Sequence, residues 1–425
     1  MTLVGLDDTD SRDRGMCTTY AAARVARRIR EAGNDVDRLL LVRLNPAVKH
    51  KTRGNAALCI HTDCDPEAAL ELARDEVESS AETADPRTNP GVVVCPDDAV
   101  SADVIDFARA AVRDFHEIDD ARALIEQAGF LHAEWKQGRG LIGALAAVGA
   151  WDTFSEWTYE HISYRPRGRW GTERDIDYDS VFAAAEAGYP AVWDTVDEVE
   201  GQAVCVPHTP GPILYGIRGD DPDAVREVAA AIESEPVAET ALFVTNQGTD
   251  AHLREGTIST AKNGRSYRLS GVVTTPPETR EGGHVFFEIQ AGINRLQCAA
   301  FEPTKRFRDH VRNLRVGDDL VVCGECSDGT LKLEKFAVRA VQTTALETPT
   351  CPGCDRRMKS AGANQGYRCR DCGTTAPGKV EVSVARDIEP GWYEVPPCAR
   401  RHIAKPLIRG GFDCETHTER SVLRF

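Results

Sequence analysis

Apolar residues in this chain follow two rhythms. Short, nearly continuous runs bounded by Gly, Pro, Asn or Asp mark buried strands, and a three-to-four repeat marks amphipathic helices. Within residues 1–135 the first rhythm appears at TLVGL, LLLVRLN, AALCIHT and TNPGVVVC. The second appears at TTYAAARVARRIREAG, where Tyr20, Ala21, Val25 and Ile29 share a face, arginines take the other, and Gly33 offers a stop. This piece reads as mixed α/β.

Residues 136–258 read as a second α/β unit. GLIGALAAVGAW is a helix of small residues, TFSEWTYEHISYR alternates as a strand, and PILYGIRG, DPDAVREVAAAIE and ALFVT follow as strand, helix and strand. That order is compatible with a ferredoxin-like split βαβ arrangement. In residues 262–345 five strands (YRLSGVVTT, HVFFEIQ, RLQCAAF, DLVVCGE, LKLEKFAVRAV) enclose one helix, TKRFRDHVRNL, between the third and fourth. This is the order of an OB-fold, a barrel that often grips oligonucleotides and also serves as a plain structural module. Residues 346–425 hold paired cysteines and a Pro/Gly-rich tail. The expectation is a multidomain α/β plus all-β protein.

Charge changes the picture in two places. The net charge is −16, yet only 10 of the 51 basic residues are lysine. Acid excess with little lysine fits a halophilic cytoplasm, and it makes surface acidic runs weak evidence of function. Residues 346–425 carry 13 Lys/Arg against 10 Asp/Glu, a basic end on an acidic chain where a polyanion would bind. No apolar run reaches the roughly 18 residues of a membrane span. The start, MTLVGL, is strand-like rather than a leader, so no membrane partner and a cytoplasmic location are expected.

Cys351, Cys354, Cys369 and Cys372 form C-x2-C-x14-C-x2-C. Two such knuckles complete a tetrahedron of thiolates around Zn2+ and supply folding energy to a segment with little core. Cys323 and Cys326 have no second knuckle and read as structural; the other cysteines read as small buried residues.

GLDDTDSRDRGMCTTY places Asp7, Asp8 and Asp10 at the end of a strand, ahead of a helix start with Thr18 and Thr19. Carboxylates there can hold Mg2+ against nucleotide phosphates, while the helix amides and dipole favour the anion. A capped turn on a salt-adapted surface explains the same residues. Lys49, Lys51 and Arg53 put three cations within five residues, as phosphoryl transfer requires, or form a basic solvated loop. No GxxxxGK[ST] motif occurs. Arg165, Arg167 and Arg169 beside Trp170, the run KRFR at 305–308, and Trp392, Tyr393, Arg400, Arg401 and His402 in the tail combine guanidinium with aromatic rings, as RNA binding does.

GLDDTDSRDRGMCTTY, RLNPAVKHKTRGNAA, TNPGVVV, GLIGALAAVGA, LYGIRG, TNQGTDAHL, the CPGC/CRDC pair and PGWYEVPPCARRHIAKPL together resemble the archaeal isoleucine-tRNA 2-agmatinylcytidine synthetases nearly end to end. The resemblance implies a kinase-like ATP-binding domain (1–135), a ferredoxin-like domain (136–258), an OB-fold (262–345) and a zinc-ribbon piece with its tail (346–425). It implies ATP, agmatine and the wobble cytidine of an isoleucine tRNA as substrates, ATP being taken to AMP, and a phosphorylated threonine that falls on Thr18. The loop SRDRG is longer than in the family, and Asp13 is not counted as a ligand. Phosphorylating the cytosine C2 oxygen would make it a leaving group for agmatine's amine. Asp7, Asp8 and Asp10 would hold Mg2+, Lys49, Lys51 and Arg53 the transferring group, and Tyr159, Glu160 and His161 the agmatine. Two alternatives stand: a non-catalytic OB-fold/zinc-ribbon RNA-binding protein, and a related ligase using another amine.

Overall fold

The computed structural model describes residues 1–51, 54–97 and 100–410. The chain begins with β1 (Thr2–Asp7), α1 (Thr18–Glu31), β2 (Val36–Arg43), β3 (Ala56–Thr62), α2 (Pro66–Ser80), β4 (Gly91–Cys95), α3 (Ala102–Arg113), α4 (Ile118–Ala128), β5 (Leu131–Glu134) and α5 (Gly140–Val148). It continues with β6 (Thr158–Tyr164), α6 (Tyr178–Gly188), β7 (Val192–Trp193), the small hairpin β8 (Val196–Asp197) and β9 (Gln202–Ala203), β10 (Ile213–Gly219), α7 (Pro222–Ala231) and β11 (Glu239–Thr245).

Nine strands form one sheet in the order β5-β4-β1-β3-β2-β11-β6-β10-β7. Strand β11 makes the join: it runs parallel to β2, with Val244 opposite Leu40, and antiparallel to β6. The sheet therefore passes unbroken across residue 135. Its strands are near-continuous apolar runs because helices cover both faces. On one side α1 and α2 bury Val25, Ile29, Ala73 and Val77 against Val4, Leu6 and Ile60. On the other, α3 and α5 bury Val104, Leu141 and Leu145 against Leu3, Leu40 and Val93. Asp65 caps α2 by accepting from the Ala68 amide at 3.1 Å.

Helix α5 lies across β1 and β4 almost without intervening side chains. A Cβ on Gly5 would overlap the Ala144 carbonyl, one on Gly91 the Leu141 amide, and one on Gly140 the Gly91 amide. The small-residue run read from the sequence is thus a contact surface, and it serves the sheet of the first 135 residues.

A β-barrel follows: β12 (Leu253–Glu255), β13 (Arg265–Val273), β14 (Glu278–Thr279), β15 (Val285–Ala291), β16 (Asn294–Ala300), α8 (Phe307–Arg312), β17 (Asp319–Ser327) and β18 (Thr330–Ala340). The order is β12-β13-β17-β18-β16-β15-β14, and pairing of β13 with β15 closes it. Leu269, Phe287, Phe307, Val322 and Phe336 fill the interior. Phe307, the aromatic of KRFR, belongs to that core rather than to an RNA surface, and Arg306 pairs with Asp197 at 3.0 Å. Cys323 and Cys326 are buried in the barrel. Beyond the zinc-ribbon cysteines the tail returns: the strand Gly391–Glu394 pairs with β18, burying Trp392 opposite Ala337. The tail then crosses to the α/β body, where the amides of Gly248 and Asp250 donate to the carbonyls of His402 and Ile403 at 2.8 and 3.0 Å. Among the described residues no helix is long and apolar enough to cross a membrane.

Substituting Gly5→Ala inserts a methyl into the β1–α5 contact. The expected cost is about 1–3 kcal/mol, read as a lower urea midpoint at unchanged m-value.

Candidate active site and zinc centre

A cavity of about 1080 Å3 opens where body, barrel and tail meet. Asp7, Asp8, Asp10, Thr18, Arg43, Lys49, Lys51, Arg139, Glu160 and Arg218 line it from the body, Glu325 and Asp328 from the barrel, and Arg400 and His402 from the tail.

The acidic end follows from β1 and α5. Asp7 is the last residue of β1, and its carboxylate lies where a Cβ on Gly143 would sit, so only glycine fits there. Asp8 follows with φ +60, a left-handed conformation uncommon outside glycine. Its amide donates to Asp7 Oδ1 at 2.7 Å, while its own Oδ2 accepts from the Asn89 amide at 3.1 Å and from Arg139 at 3.2 Å. Burial, then repulsion from Asp8, pushes the Asp7 carboxyl well above the usual range. Burial likewise raises Asp8 to about 6, against the pull of Arg139 and the Asn89 amide. Two largely buried carboxyls thus stand beside the Arg139 guanidinium. Among the described residues only the four zinc-ribbon cysteines draw three or more ligand atoms into a ready cluster. Asp7, Asp8 and Asp10 do not form such a cluster.

Thr18 opens α1, whose cap residue Cys17 makes no side-chain cap bond and whose first turn has no acid, leaving amides for an anion. The Thr18 hydroxyl is buried and accepts from the Thr9 hydroxyl at 3.1 Å. Lys49 is exposed at the cavity, whereas burial and then Arg401 lower the pKa of Lys51, which donates to the Pro46 carbonyl. Arg53 lies outside the described residues. His402 lines the cavity from the tail. Loss of solvation there, then the Arg43 and Arg218 guanidiniums, lower its pKa from the usual value.

Of the three residues expected to hold agmatine, only Glu160 faces the cavity; Tyr159 and His161 take the other face of β6. His161 is lowered to about 4, first by burial. Glu160 accepts from Gln247 and lies 4.0 Å from Arg43.

The arginine patches need correction. Arg165 is fully buried and binds Glu235 through Nε and Nη2 at 2.8 and 2.7 Å, so it cannot reach RNA. Trp170 packs edge-on against Tyr20 and donates to the Arg165 carbonyl; only Arg167 and Arg169 of that run are exposed. Arg400 is spent on Asp194 and Glu394, and Arg401 on Glu325 and Glu334. Local composition marks such arginines, but partners far off in sequence, among them Glu235, Asp194 and Glu325, decide what they do. Sequence reading missed Arg139, Asn89, Arg43 and Arg218, and placed His402 in an RNA-binding patch rather than on the cavity wall. Only Arg139, directly before the glycines of α5, had a local signal.

In the ribbon the four sulfurs lie within 4.8 Å of one another, Cys351 and Cys372 at 3.4 Å. A tetrahedron with Zn–S bonds of about 2.3 Å has edges near 3.8 Å, so the donor set fits. Two matching turns present it: Asp355 N donates to Cys351 O, and Gly373 N to Cys369 O.

Comparison with known proteins gives the family context. Family models match residues 3–137 (TiaS TCKD domain), 138–252 (TiaS FLD domain) and 348–388 (TiaS C-terminal zinc ribbon domain). The isoleucine-tRNA 2-agmatinylcytidine synthetase TiaS of Haloquadratum walsbyi is 55% identical, covering 99% of this chain and 100% of its own. That of Methanosarcina acetivorans is 46% identical, covering 96% and 97%. Among solved structures, a complex of TiaS with its isoleucine tRNA and ATP is 42% identical with a TM-score of 0.88, covering 98% of this chain and 99% of that one. A complex of TiaS with the same tRNA, AMPCPP and agmatine is 40% identical with a TM-score of 0.85, covering 98% of each.

Purified protein is expected to carry zinc by atomic absorption. Cys369→Ser should lose it and expose residues 348–388 to protease, leaving nucleotide binding by the α/β body intact.

Proposed function

The chain belongs to the TiaS family, and from that premise we infer how its own residues perform the family's reaction. It is an ATP-dependent tRNA 2-agmatinylcytidine synthetase, joining agmatine to C2 of the wobble cytidine of an isoleucine tRNA. Four features support the module assignments. The β1–α1 junction is the kinase-like ATP module, the β6–β11 segment the ferredoxin-like one, the closed five-strand barrel with its helix after the third long strand the OB-fold, and the cysteine cluster the zinc ribbon.

The C2 oxygen of cytosine is urea-like and leaves poorly. Transfer of a phosphoryl group to it makes a leaving group and an electrophilic C2. Agmatine's nitrogen then bonds to C2, the C2–O bond breaks with its electrons on the phosphate oxygen, and the amine gives up a proton. The observation that carries this reading is one cavity that joins buried carboxylates at a helix N-terminus to a cationic wall. Asp7, Asp8 and Asp10 would hold Mg2+, which would offset the triphosphate charge. Lys49 and Lys51, which line the cavity, would offset charge that builds on the transferring group, and Arg53 is assigned to the same role from its place in the sequence alone. Thr18, buried at the first turn of α1, is the hydroxyl we assign to phosphorylation. Glu160 is the cavity residue we place against agmatine, and Arg167 and Arg169 are exposed for RNA phosphates.

Nucleoside mass spectrometry of the isoleucine tRNA after incubation with ATP and agmatine should show the agmatine adduct at the wobble position. Asp8→Asn should abolish it with tRNA binding kept. Unchanged activity in Asp8→Asn would return the acidic loop to a salt-adapted turn, and entry of another amine in place of agmatine would favour the related ligase. Glu160→Gln should raise the agmatine KM about tenfold, the loss of one charged hydrogen bond, with the ATP KM steady. An unchanged agmatine KM would confine Glu160 to holding Arg43 and Gln247.

A further inference from the structure

The acidic end of β1 is steadied by residues 82–90, the loop between α2 and β4. The Thr88 hydroxyl donates to the Asp10 carbonyl at 2.7 Å and the Asn89 amide to the Asp8 carboxylate at 3.1 Å. Glu82 N donates to the Thr9 carbonyl at 3.0 Å, and the Ser11 hydroxyl to Asp85 Oδ2 at 2.7 Å. Arg139 bridges the two parts, donating both to Asp8 and to the Arg87 carbonyl. The aim of Asp8 therefore depends on how firmly this loop keeps its shape.

One side chain holds the loop from the far side. The Lys136 ammonium donates to the carbonyls of Thr83, Asp85 and Thr88 at 3.2, 2.5 and 2.7 Å. An ammonium has three donors, and all three are used on neutral backbone oxygens. The arrangement is that of a small cation in a carbonyl cage, with the cation tethered to the chain. Lys136 has φ +60 in the turn from β5 to α5, and the same turn delivers Arg139 three residues later. The turn is itself tied to the 82–90 loop, since Trp135 N donates to Pro90 O and Gly140 N to Asn89 O. Lys136 does not line the cavity, so it acts through Thr88 and Asn89.

We propose that Lys136 is a positioning residue for metal–nucleotide binding: its ammonium closes the 82–90 loop so that Asp8 and Asp10 face the triphosphate. This rests on the reading of the acidic end of β1 as the ATP site.

Lys136→Met keeps the aliphatic stem and removes the donors. In the full-length protein, calorimetric titration with a non-hydrolysable ATP analogue across a Mg2+ series should show Kd and the Mg2+ requirement rising about tenfold, the scale for loss of an outer-shell partner. Amide hydrogen exchange should rise across 82–90, with tRNA affinity unchanged. For Lys136→Ala, ammonium ions should restore nucleotide affinity and tetramethylammonium should not, because only the former fits and donates to the carbonyls. This second variant, read with and without ammonium, decides the matter should the first fail to fold. Nucleotide affinity and Mg2+ dependence unchanged in a folded variant would overturn the proposal. Wild-type protein that binds nucleotide without Mg2+, or Asp8→Asn that binds as wild type, would instead overturn the reading of the site.

Discussion

Backbone meets backbone where α5 crosses β1 and β4, and that contact sets where the groups of the site stand. Gly5, Gly91 and Gly140 each lie where a single methyl would overlap a main-chain atom of the opposing element. Glycine in a strand or helix loses more conformational freedom on folding than other residues do, and the close contact is what that loss supports. With the helix so near, its first turn brings Arg139 to 3.2 Å from Asp8. Gly143 leaves room for the Asp7 carboxylate. A helix displaced by one side-chain layer would separate the guanidinium from the carboxylate and let water between Asp7 and Asp8. Their raised pKa values come mainly from that exclusion of water.

The unbroken sheet has the opposite role. It carries β6 and β10 to the same side of the molecule as β2, with β11 between, so that Glu160 and Arg218, opposite each other in register, reach the same cavity as Arg43. Barrel and tail supply the remaining walls. In a chain of net charge −16 the cavity still gathers Arg43, Arg218 and Arg400, with Lys49 and Lys51, two of only ten lysines. Low-dielectric walls focus such charges, so an anion that enters the cavity meets cations from the body and the tail.

What was legible in the sequence was whatever local spacing decides. Two CxxC turns determine their own geometry, and the four sulfurs stand together. Apolar runs such as TLVGL and AALCIHT became β1 and β3. Helix α2 escaped notice because its buried positions, Ala69, Ala73 and Val77, are small and scattered among charges. Alternation in WTYEHISYR revealed a strand without saying which face meets the cavity, and that face holds Glu160 while Tyr159 and His161 turn away. Arg165 looked like an RNA contact until Glu235, 70 residues on, took its guanidinium. Charge is readable locally; the partner that spends it is not.

The junction between body, barrel and tail carries buried ion pairs where an apolar seam would be simpler. Lys335 meets Asp250 at 2.7 Å and Arg400 is shared between Asp194 and Glu394, while His252 is hydrogen-bonded to Glu334 at 2.9 Å. Such pairs add little net stability, because desolvation consumes most of the Coulomb gain, but removing one partner costs about 3–5 kcal/mol. That asymmetry penalises every docking angle except the one that matches donors to acceptors, whereas an apolar seam tolerates sliding. The cavity needs such an angle, since Arg400 and His402 from the tail and Glu325 from the barrel complete a wall begun by the body. The polar seam thus trades stability for register, and the register places tail and barrel groups opposite the acidic end of β1.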